Sequence, residues 1–333
     1  MGHAVVDRRY LHVANGTSVT MTLEAAGVPG LMSIWADPLH DGPVPAGLTD
    51  DQLRELRAEH LSGWDAVVVQ PMNDMRRWRQ VIADHGSYDE LVLWFEHDLF
   101  DQLNLLQLLT WIRAHVPPDK PVTLICVGSF PGYPAFKGLG ELQPADLASL
   151  LDSRRPVSAE AYALAERAWR AFREPTPEAL DDLRRSDTTA MPFLASAIER
   201  FLQEYPWTRD GLSRTERRLL QIAESGPAVM HGVFPHMHDD EKAYYVADRE
   251  LKGLVETLSL TSPPLIAFTP GANDSGKFWR GTVTATDAGR EVLAGRRDRV
   301  ACRIDKWLGG VHLQSEAGNI WRWDDERGRV VRR

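Results

Sequence analysis

The chain has 333 residues, 43% of them hydrophobic and 26% charged, which is typical of a soluble globular protein with a sizeable core and two or three domains. The formal net charge of −9 is uneven: residues 211–333 carry 19 Lys and Arg against 17 Asp and Glu, a net of +2, which leaves −11 for residues 1–210. The acidic first part argues against non-specific nucleic-acid binding there, and the second part is at best neutral.

The cysteine content and the apolar runs indicate the compartment. Cys126 and Cys302 are far apart, which favours reduced thiols in a cytoplasm over a disulfide framework. Residues 1–9 lack the apolar core of a signal peptide. No apolar run reaches the roughly 18–20 residues that a membrane helix needs. We therefore expect a cytoplasmic protein with no membrane partner.

A turn of small and polar residues follows the first predicted strand, residues 10–14. A helix capped by Thr17 or Ser18 comes next and ends near Gly27. A strand, a tight turn and a helix N-terminus can together hold an anion. The candidate ligand-binding residues of this turn are Asn15, Gly16, Thr17 and Ser18. One glycine falls short of a phosphate-binding loop, so an ordinary βα turn is the favoured alternative.

The second predicted strand, residues 31–35, leads into an irregular segment rich in proline. Asp37 is a candidate ligand-binding residue there, and His40 is a candidate for proton transfer. Loops beyond strand ends hold the chemistry in many α/β proteins, although two prolines after a glycine can simply shape a surface loop. Helices are predicted from Thr49 and over residues 73–85, and residues 65–71 fit either a strand or a buried helical turn.

The stretch from Leu91 to Phe95 is uniformly apolar, as expected of a central parallel strand buried on both faces. Ionisable residues follow it at once, and a helix is predicted from about Leu99 to His115. The candidate catalytic residues, with His40, are Glu96, His97, Asp98 and Asp101. Asp98 and Asp101 share a helix face and could converge on one divalent cation. Asp98 is equally suited to act only as the helix N-cap.

A further apolar strand, residues 121–127, ends at Gly128 and precedes a loop that contains Lys137. Strands that alternate with helices predict a parallel, Rossmann-like three-layer sheet. The carboxyl ends of such strands meet at one edge. We therefore expect a single pocket there, lined by Asn15, Asp37, His40, Glu96, Asp98 and Lys137.

The remaining chain is predicted to form two further parts. Residues 1–142 would be the α/β ligand-binding domain. Residues 143–210 would be a helical connector packed on it, with residues 144–204 helical throughout. The breakers within residues 205–211 mark the next boundary. Residues 211–333 would form a winged-helix-like α+β domain with a C-terminal hairpin.

The winged-helix outline rests on a capping box at Ser213 and Glu216, a second helix over 247–260, strands at 263–268 and 278–283, and a last helix from Thr286. Such domains bind DNA or a protein, or serve structure alone, and DNA binding is not favoured at a net charge of +2.

The residues of the predicted hairpin are 307–313 and 321–324, whose tryptophans favour packing over base stacking. A histidine-rich stretch, residues 231–240, matches no zinc spacing and favours a polar loop.

Several motifs together resemble a bacterial family described only as the domain of unknown function 1835 family, with its C-terminal companion domain. The stretches that carry the resemblance are 11–18, 35–45, 94–102, 136–140, 307–313 and 321–324. The resemblance implies kinship over nearly the whole chain but no activity, substrate or cofactor. The turn of that family usually reads Asn-Gly-Asp-Ser, and Thr17 stands here in place of the acid, so we expect no nucleophile or base at that position.

Two hypotheses on function follow. In the first, the sheet edge binds a phosphate- or nucleotide-like ligand and, with a divalent cation, acts as a metal-assisted hydrolase or transferase. In the second, the protein is a ligand-sensing regulator or adaptor whose winged-helix domain binds nucleic acid or a partner protein. Metal-dependent turnover would favour the first hypothesis, and salt-dependent DNA affinity the second.

Overall fold

The computed structural model describes residues 8–62, 71–272, 276–318 and 320–333. The predicted element at 65–71 falls outside these residues except for Pro71, as do residues 1–7. The α-helices of the described residues are α1 Thr17–Ala25, α2 Asp50–Ser62, α3 Pro71–Ala83, α4 Leu99–His115, α5 Pro144–Ser149, α6 Ala159–Arg173, α7 Glu178–Arg184, α8 Leu194–Leu202, α9 Arg214–Glu224, α10 Met230–Met237, α11 Asp248–Ser259 and α12 Asp287–Leu293.

The strands of the described residues are short and fall into four sheets. They are β1 Tyr10–Ala14, β2 Leu31–Ile34, β3 Gly42–Pro43, β4 Glu90–Glu96, β5 Val122–Val127, β6 Arg155–Pro156, β7 Ala228–Val229, β8 Ile266–Thr269, β9 Thr282–Ala285, β10 Asp305–Gly309, β11 Val311–Gln314, β12 Trp321–Asp324 and β13 Arg329–Arg332.

The main sheet has the order β2-β1-β4-β5-β6. Its first four strands run parallel, which confirms the predicted α/β class with a mostly parallel sheet. The short edge strand β6 is antiparallel to β5, so the prediction that residues 144–204 are helical throughout is wrong at this point. A two-residue strand has no amphipathic period by which the sequence could show it.

Helices cover both faces of this sheet, because side chains alternate along β4. Leu91, Leu93 and Phe95 join the core that α3, α4 and α6 share. Val92 and Trp94 point to the other face, where they pack with side chains of α1 and α5. Burial on both faces explains why the strand reads as an uninterrupted apolar run.

Helix α4 begins where the sequence predicts, and Asp98 caps it by accepting a hydrogen bond from the Asp101 amide at 2.8 Å. The predicted cap of α1 is wrong. Thr17 and Ser18 lie inside the first turn, the N-cap residue is Gly16, and no side chain caps the helix. The hydroxyl of Thr20 and that of Thr22 instead bond to carbonyls of the preceding turn.

The elements after residue 211 form a three-stranded antiparallel sheet in the order β7-β9-β8, packed with α9, α11 and α12. The predicted capping box at Ser213 and Glu216 is confirmed. The predicted strand 278–283 begins only at Thr282, because Phe278 and Trp279 lie in a turn where their rings pack edge to face at 5.1 Å.

The C-terminal residues form two hairpins instead of the single predicted one. Strand β10 pairs with β11, and β12 pairs with β13. The first hairpin also joins the N-terminal part, since β10 runs parallel to β3, with Leu308 opposite Gly42. One apolar core accordingly extends from Leu11 to Val330. Among the described residues, no helix is long and apolar enough to cross a membrane.

Candidate functional site

Three carboxylates meet where β4 ends and α4 begins. Candidate ligand atoms of Glu96, Asp98 and Asp101 all lie within 4.8 Å of one another. Each of these residues is less than a tenth exposed. No Lys or Arg in the described part of the chain forms an ion pair with any of the three. We call this group the acid cluster.

Burial disfavours the charged form of every member of the acid cluster. It raises the pKa of Glu96 to about 8, and the neighbouring Asp98 charge adds to the rise. Burial likewise raises the pKa of Asp98 to about 6. Burial and then the Glu96 charge raise the pKa of Asp101 well above its usual range. The cluster therefore holds protons in the absence of a cation.

Short hydrogen bonds fix the geometry of the cluster. Asp101 accepts from the Glu96 amide and from the Asn15 side chain, both at 2.9 Å. The Leu139 amide donates to the Glu96 carboxylate. A side chain at Gly138 would force the loop or Glu96 to move, because its Cβ would lie 2.2 Å from Glu96 Oε1. The glycine-bearing loop thus lies directly over the cluster.

The N-terminus of α1 borders the same edge. Asn15 precedes the helix and bonds to the cluster, and a Cβ built on Gly140 would lie 3.4 Å from Ser18 Oγ. Because Gly16 offers no capping side chain, the first amides of α1 have no side-chain acceptor. Asn15, Gly16, Thr17 and Ser18 therefore lie together beside the cluster.

His40 reaches the site from the second βα connection. Its side chain is 7% exposed, and Nε2 lies 2.5 Å from Glu250 Oε1. Burial alone would lower its pKa, but the Glu250 carboxylate outweighs burial and the pKa is raised. The charge of Asp98 acts in the same direction. His40 and the acid cluster are thus electrostatically coupled.

Aromatic and basic side chains surround the outer side of the cluster. The His97 ring lies 6.3 Å from that of Tyr245, and burial lowers the pKa of His97. The exposed Lys137 places Nζ 5.9 Å from the Tyr245 ring centroid. Burial raises the pKa of Tyr245 to about 12, and the Asp98 charge contributes. His97 and Lys137 therefore lie near the cluster without bonding to it.

Asp37 has a different environment from the other predicted residues. Its carboxylate accepts three hydrogen bonds from the buried Arg57, and Asn104 bonds to its backbone at 2.8 Å. These contacts anchor the loop that carries His40. Asp37 therefore serves this internal ion pair, and in the described part of the chain these hydrogen bonds go to Arg57 and Asn104 and not to the acid cluster.

His12, in β1, is fully buried between two partners. Its Nδ1 accepts from the Trp94 indole at 3.0 Å, and Nε2 lies 3.2 Å from the Pro29 carbonyl. Because an indole only donates and a carbonyl only accepts, the proton must be on Nε2. Burial also lowers the pKa of His12, so this ring is held neutral in the core.

The histidine-rich stretch that the sequence assigns to a polar loop is largely part of α10. His236 pairs with Asp239 at 2.9 Å, and His238 lies 2.9 Å from the Val246 carbonyl. Among the residues that the structure describes, the acid cluster alone groups three or more potential ligands of a metal ion. The histidine-rich stretch forms no such group.

Sequence reasoning missed the contribution of the C-terminal part. Tyr245 and Glu250 belong to it, and the Leu99 amide at the start of α4 donates to the Ala243 carbonyl at 2.7 Å. The only signal in the sequence is an aromatic pair, Tyr244 and Tyr245, just before the start of α11. Neither composition nor spacing relates that pair to residues some 150 positions earlier.

A comparison of the chain with protein-family models finds no match, and neither does a search of curated proteins.

Proposed function

We propose that the acid cluster binds a divalent cation and that a phosphate- or nucleotide-like ligand binds beside it, where it is hydrolysed or transferred. The observation that supports this best is the grouping of three buried carboxylates within 4.8 Å without a Lys or Arg partner in the described residues. Buried charges are normally paired or coordinate a metal. A cation would replace the protons that burial holds on the cluster and supply the countercharge of the ionised carboxylates.

The chemistry of the ligands favours a hard cation. Carboxylate oxygens suit Mg²⁺, Mn²⁺ and Ca²⁺. Two oxygens bound to Mg²⁺ at ~2.1 Å are at most about 4.2 Å apart, whereas Ca²⁺ at ~2.4 Å spans about 4.8 Å. The candidate ligand atoms of the acid cluster lie within 4.8 Å of one another, so that small side-chain movements would bring all three onto a single ion of this kind.

The neighbouring helix supports an anionic ligand. The amides at the start of α1 and the positive end of its dipole would attract a phosphate, and Ser18 and Lys137 border the same region. A cation there would polarise a phosphoryl oxygen and offset its charge. His40 and His97 would hold or move a proton at a ring nitrogen.

The finer description of the fold belongs to the same proposal. The parallel order β2-β1-β4-β5 with helices on both faces supports a Rossmann-like domain. The helices α9 to α12 with the sheet β7-β9-β8 support a winged helix. Kinship with the domain of unknown function 1835 family is supported by the motif stretches alone.

Titration calorimetry with MgCl₂, MnCl₂ and CaCl₂ tests the cation site. We expect the wild type to bind at least one of these cations, and Asp101→Asn to bind it at least ~10-fold more weakly, because removing a ligand's charge removes its attraction. Asp51→Asn is the matched control, since Asp51 is also an acid of a first helical turn but is exposed and pairs with Arg54. No binding by the wild type would overturn the proposal.

A specific observation also favours a second function, that of a ligand-sensing regulator. The segment from Ala243 to Glu250, which belongs to the winged-helix-like part, contacts the start of α4 and His40. Ligand binding at the cluster could therefore act on that part. A DNA affinity that changes with the cation and falls steeply with salt would support this function; equal, weak affinity at every cation concentration would contradict it.

A further inference from the structure

We infer that Glu250, a residue of the C-terminal part, positions the His40 ring beside the acid cluster, so that the site is assembled from both parts of the chain. The inference rests on the proposed cation site. It adds to that site a residue 210 positions away from its histidine partner, outside every motif that points to the sheet edge.

The contact between the two residues is short and enclosed. His40 Nε2 lies 2.5 Å from Glu250 Oε1, and the side chains are 7% and 15% exposed. The ring is also held by neighbouring aromatic groups, with centroids 5.3 Å from Tyr244 and 6.2 Å from Phe100. These contacts hold the ring in the orientation that places Nε2 against Glu250.

Glu250 is itself fixed by its second oxygen. Oε2 accepts from the Tyr244 hydroxyl at 3.0 Å and from the Ala247 amide at 2.8 Å. Both carboxylate oxygens are thus committed, and the side chain cannot rotate without breaking three contacts. A carboxylate held in this way defines which ring nitrogen of a histidine carries the donated proton.

The other ring nitrogen of His40, Nδ1, indicates what the ring could bind. Nδ1 is buried and has no hydrogen-bond partner among the described residues, although buried polar atoms are nearly always bonded. The charged groups that act on the ring are Glu250, Asp41 and Asp98. Glu250 already bonds Nε2, so Nδ1 is the atom left to serve a ligand or a cation-bound water at the cluster.

A purely structural ion pair explains this arrangement less well. The nearby pair Arg200–Glu241 also joins two parts of the chain, and its guanidinium nitrogens are all bonded, to Glu241, Glu204 and Thr215. A structural link therefore does not require a buried ring nitrogen without a partner. In proteins generally, metal-site histidines are oriented by a carboxylate bonded to one ring nitrogen while the other nitrogen is left for the metal.

Manganese titration of four variants tests the inference. Glu250→Gln retains the size of the side chain and an acceptor oxygen but loses the charge, and His40→Gln retains a donor near the position of Nε2 but loses Nδ1. We expect each to weaken Mn²⁺ binding about 10-fold. The double variant should bind no more weakly than either single one, because Glu250 acts through His40.

Glu241→Gln is the matched control, since Glu241 lies two residues before the segment from Ala243 to Glu250 and is also in a buried ion pair. It should lower the melting temperature without changing Mn²⁺ affinity. If Glu250→Gln behaves like this control, or if the effects of the two single changes add in the double variant, the inference is overturned while the cation site stands. If the wild type binds no Mn²⁺, the proposed function and the inference fall together.

Discussion

At the scale of single residues, Asp98 combines two roles that one substitution can separate. It caps α4 through the Asp101 amide, and it belongs to the acid cluster, where burial raises its pKa to about 6. Asp98→Asn retains a capping oxygen and removes a buried charge. Because the cap is kept and the cost of burying a charge is removed, we expect Asp98→Asn to be at least as stable as wild type at pH 8 without cation, while Mn²⁺ affinity falls at least ~10-fold.

The control for this prediction is Ser158→Ala. Ser158 caps α6 by accepting from the Ala161 amide at 3.1 Å, so the substitution should cost about 1 kcal/mol and leave Mn²⁺ affinity unchanged. Urea denaturation measures the free energy of unfolding, and titration calorimetry measures the Mn²⁺ affinity. Asp98→Asn with wild-type Mn²⁺ affinity would show that Asp98 is only a cap.

The raised pKa of Glu96 predicts how the free energy of unfolding depends on pH. Its pKa is raised from 4.5 to about 8 in the folded chain, so the folded state binds more protons than the unfolded state between these values. The free energy of unfolding must then decrease as pH rises from about 4.5 to 8. Glu96→Gln removes this contribution, and the stability of the variant relative to wild type should therefore increase with pH across that window.

Urea denaturation at pH 5, 6, 7 and 8 without divalent cations measures the effect. The exposed Glu224 at the end of α9 provides the control, since Glu224→Gln should give a curve parallel to wild type. Parallel curves for Glu96→Gln as well would contradict the assignment of a raised pKa to this residue.

Local chemistry made part of the acid cluster predictable. A carboxylate at an N-cap and another in the first helical turn are visible in the sequence because both roles depend on near neighbours. Glu250 was not predictable, because its partner His40 lies 210 positions away and the bond depends on how the two parts pack.

At the scale of elements, the loop over the cluster depends on a glycine. A Cβ at Gly138 would lie 2.2 Å from Glu96 Oε1, so Gly138→Ala forces the loop or the carboxylate to move. We expect a loss of about 1–3 kcal/mol in stability and weaker Mn²⁺ binding, measured by thermal melting and calorimetry. Gly232→Ala in α10, where a Cβ meets nothing within 4 Å, should cost no stability.

Elements with a clear period or composition were predictable, and short ones were not. The central strand β4 and helix α4 were found because seven buried positions and a capped helix leave a strong pattern. Strands β3 and β6 have two residues each and exist only because another strand lies beside them. The second C-terminal hairpin, formed by β12 and β13, was not predictable for the same reason, because its short strands are defined only by their pairing with each other.

At the scale of the whole molecule, the contacts between the parts predict how the chain unfolds. One core extends from Leu11 to Val330, and Trp207 pairs with Trp323 across the predicted boundary at residues 205–211. We therefore expect a single cooperative transition, coincident by near- and far-ultraviolet circular dichroism and shifted as a whole by Mn²⁺. Two separated transitions would show that the parts fold independently.

The pairing of β3 with β10 has a consequence for the order of events during protein synthesis. Gly42 and Leu308 are 266 positions apart. At about 5–20 residues per second, Leu308 is therefore added tens of seconds after Gly42. The parallel strands of the main sheet, which end at Val127, can associate long before that. We expect the growing chain to carry an acid-lined edge open to water until Ala243 to Glu250 emerge, and to complete its core only after Val330 has been added.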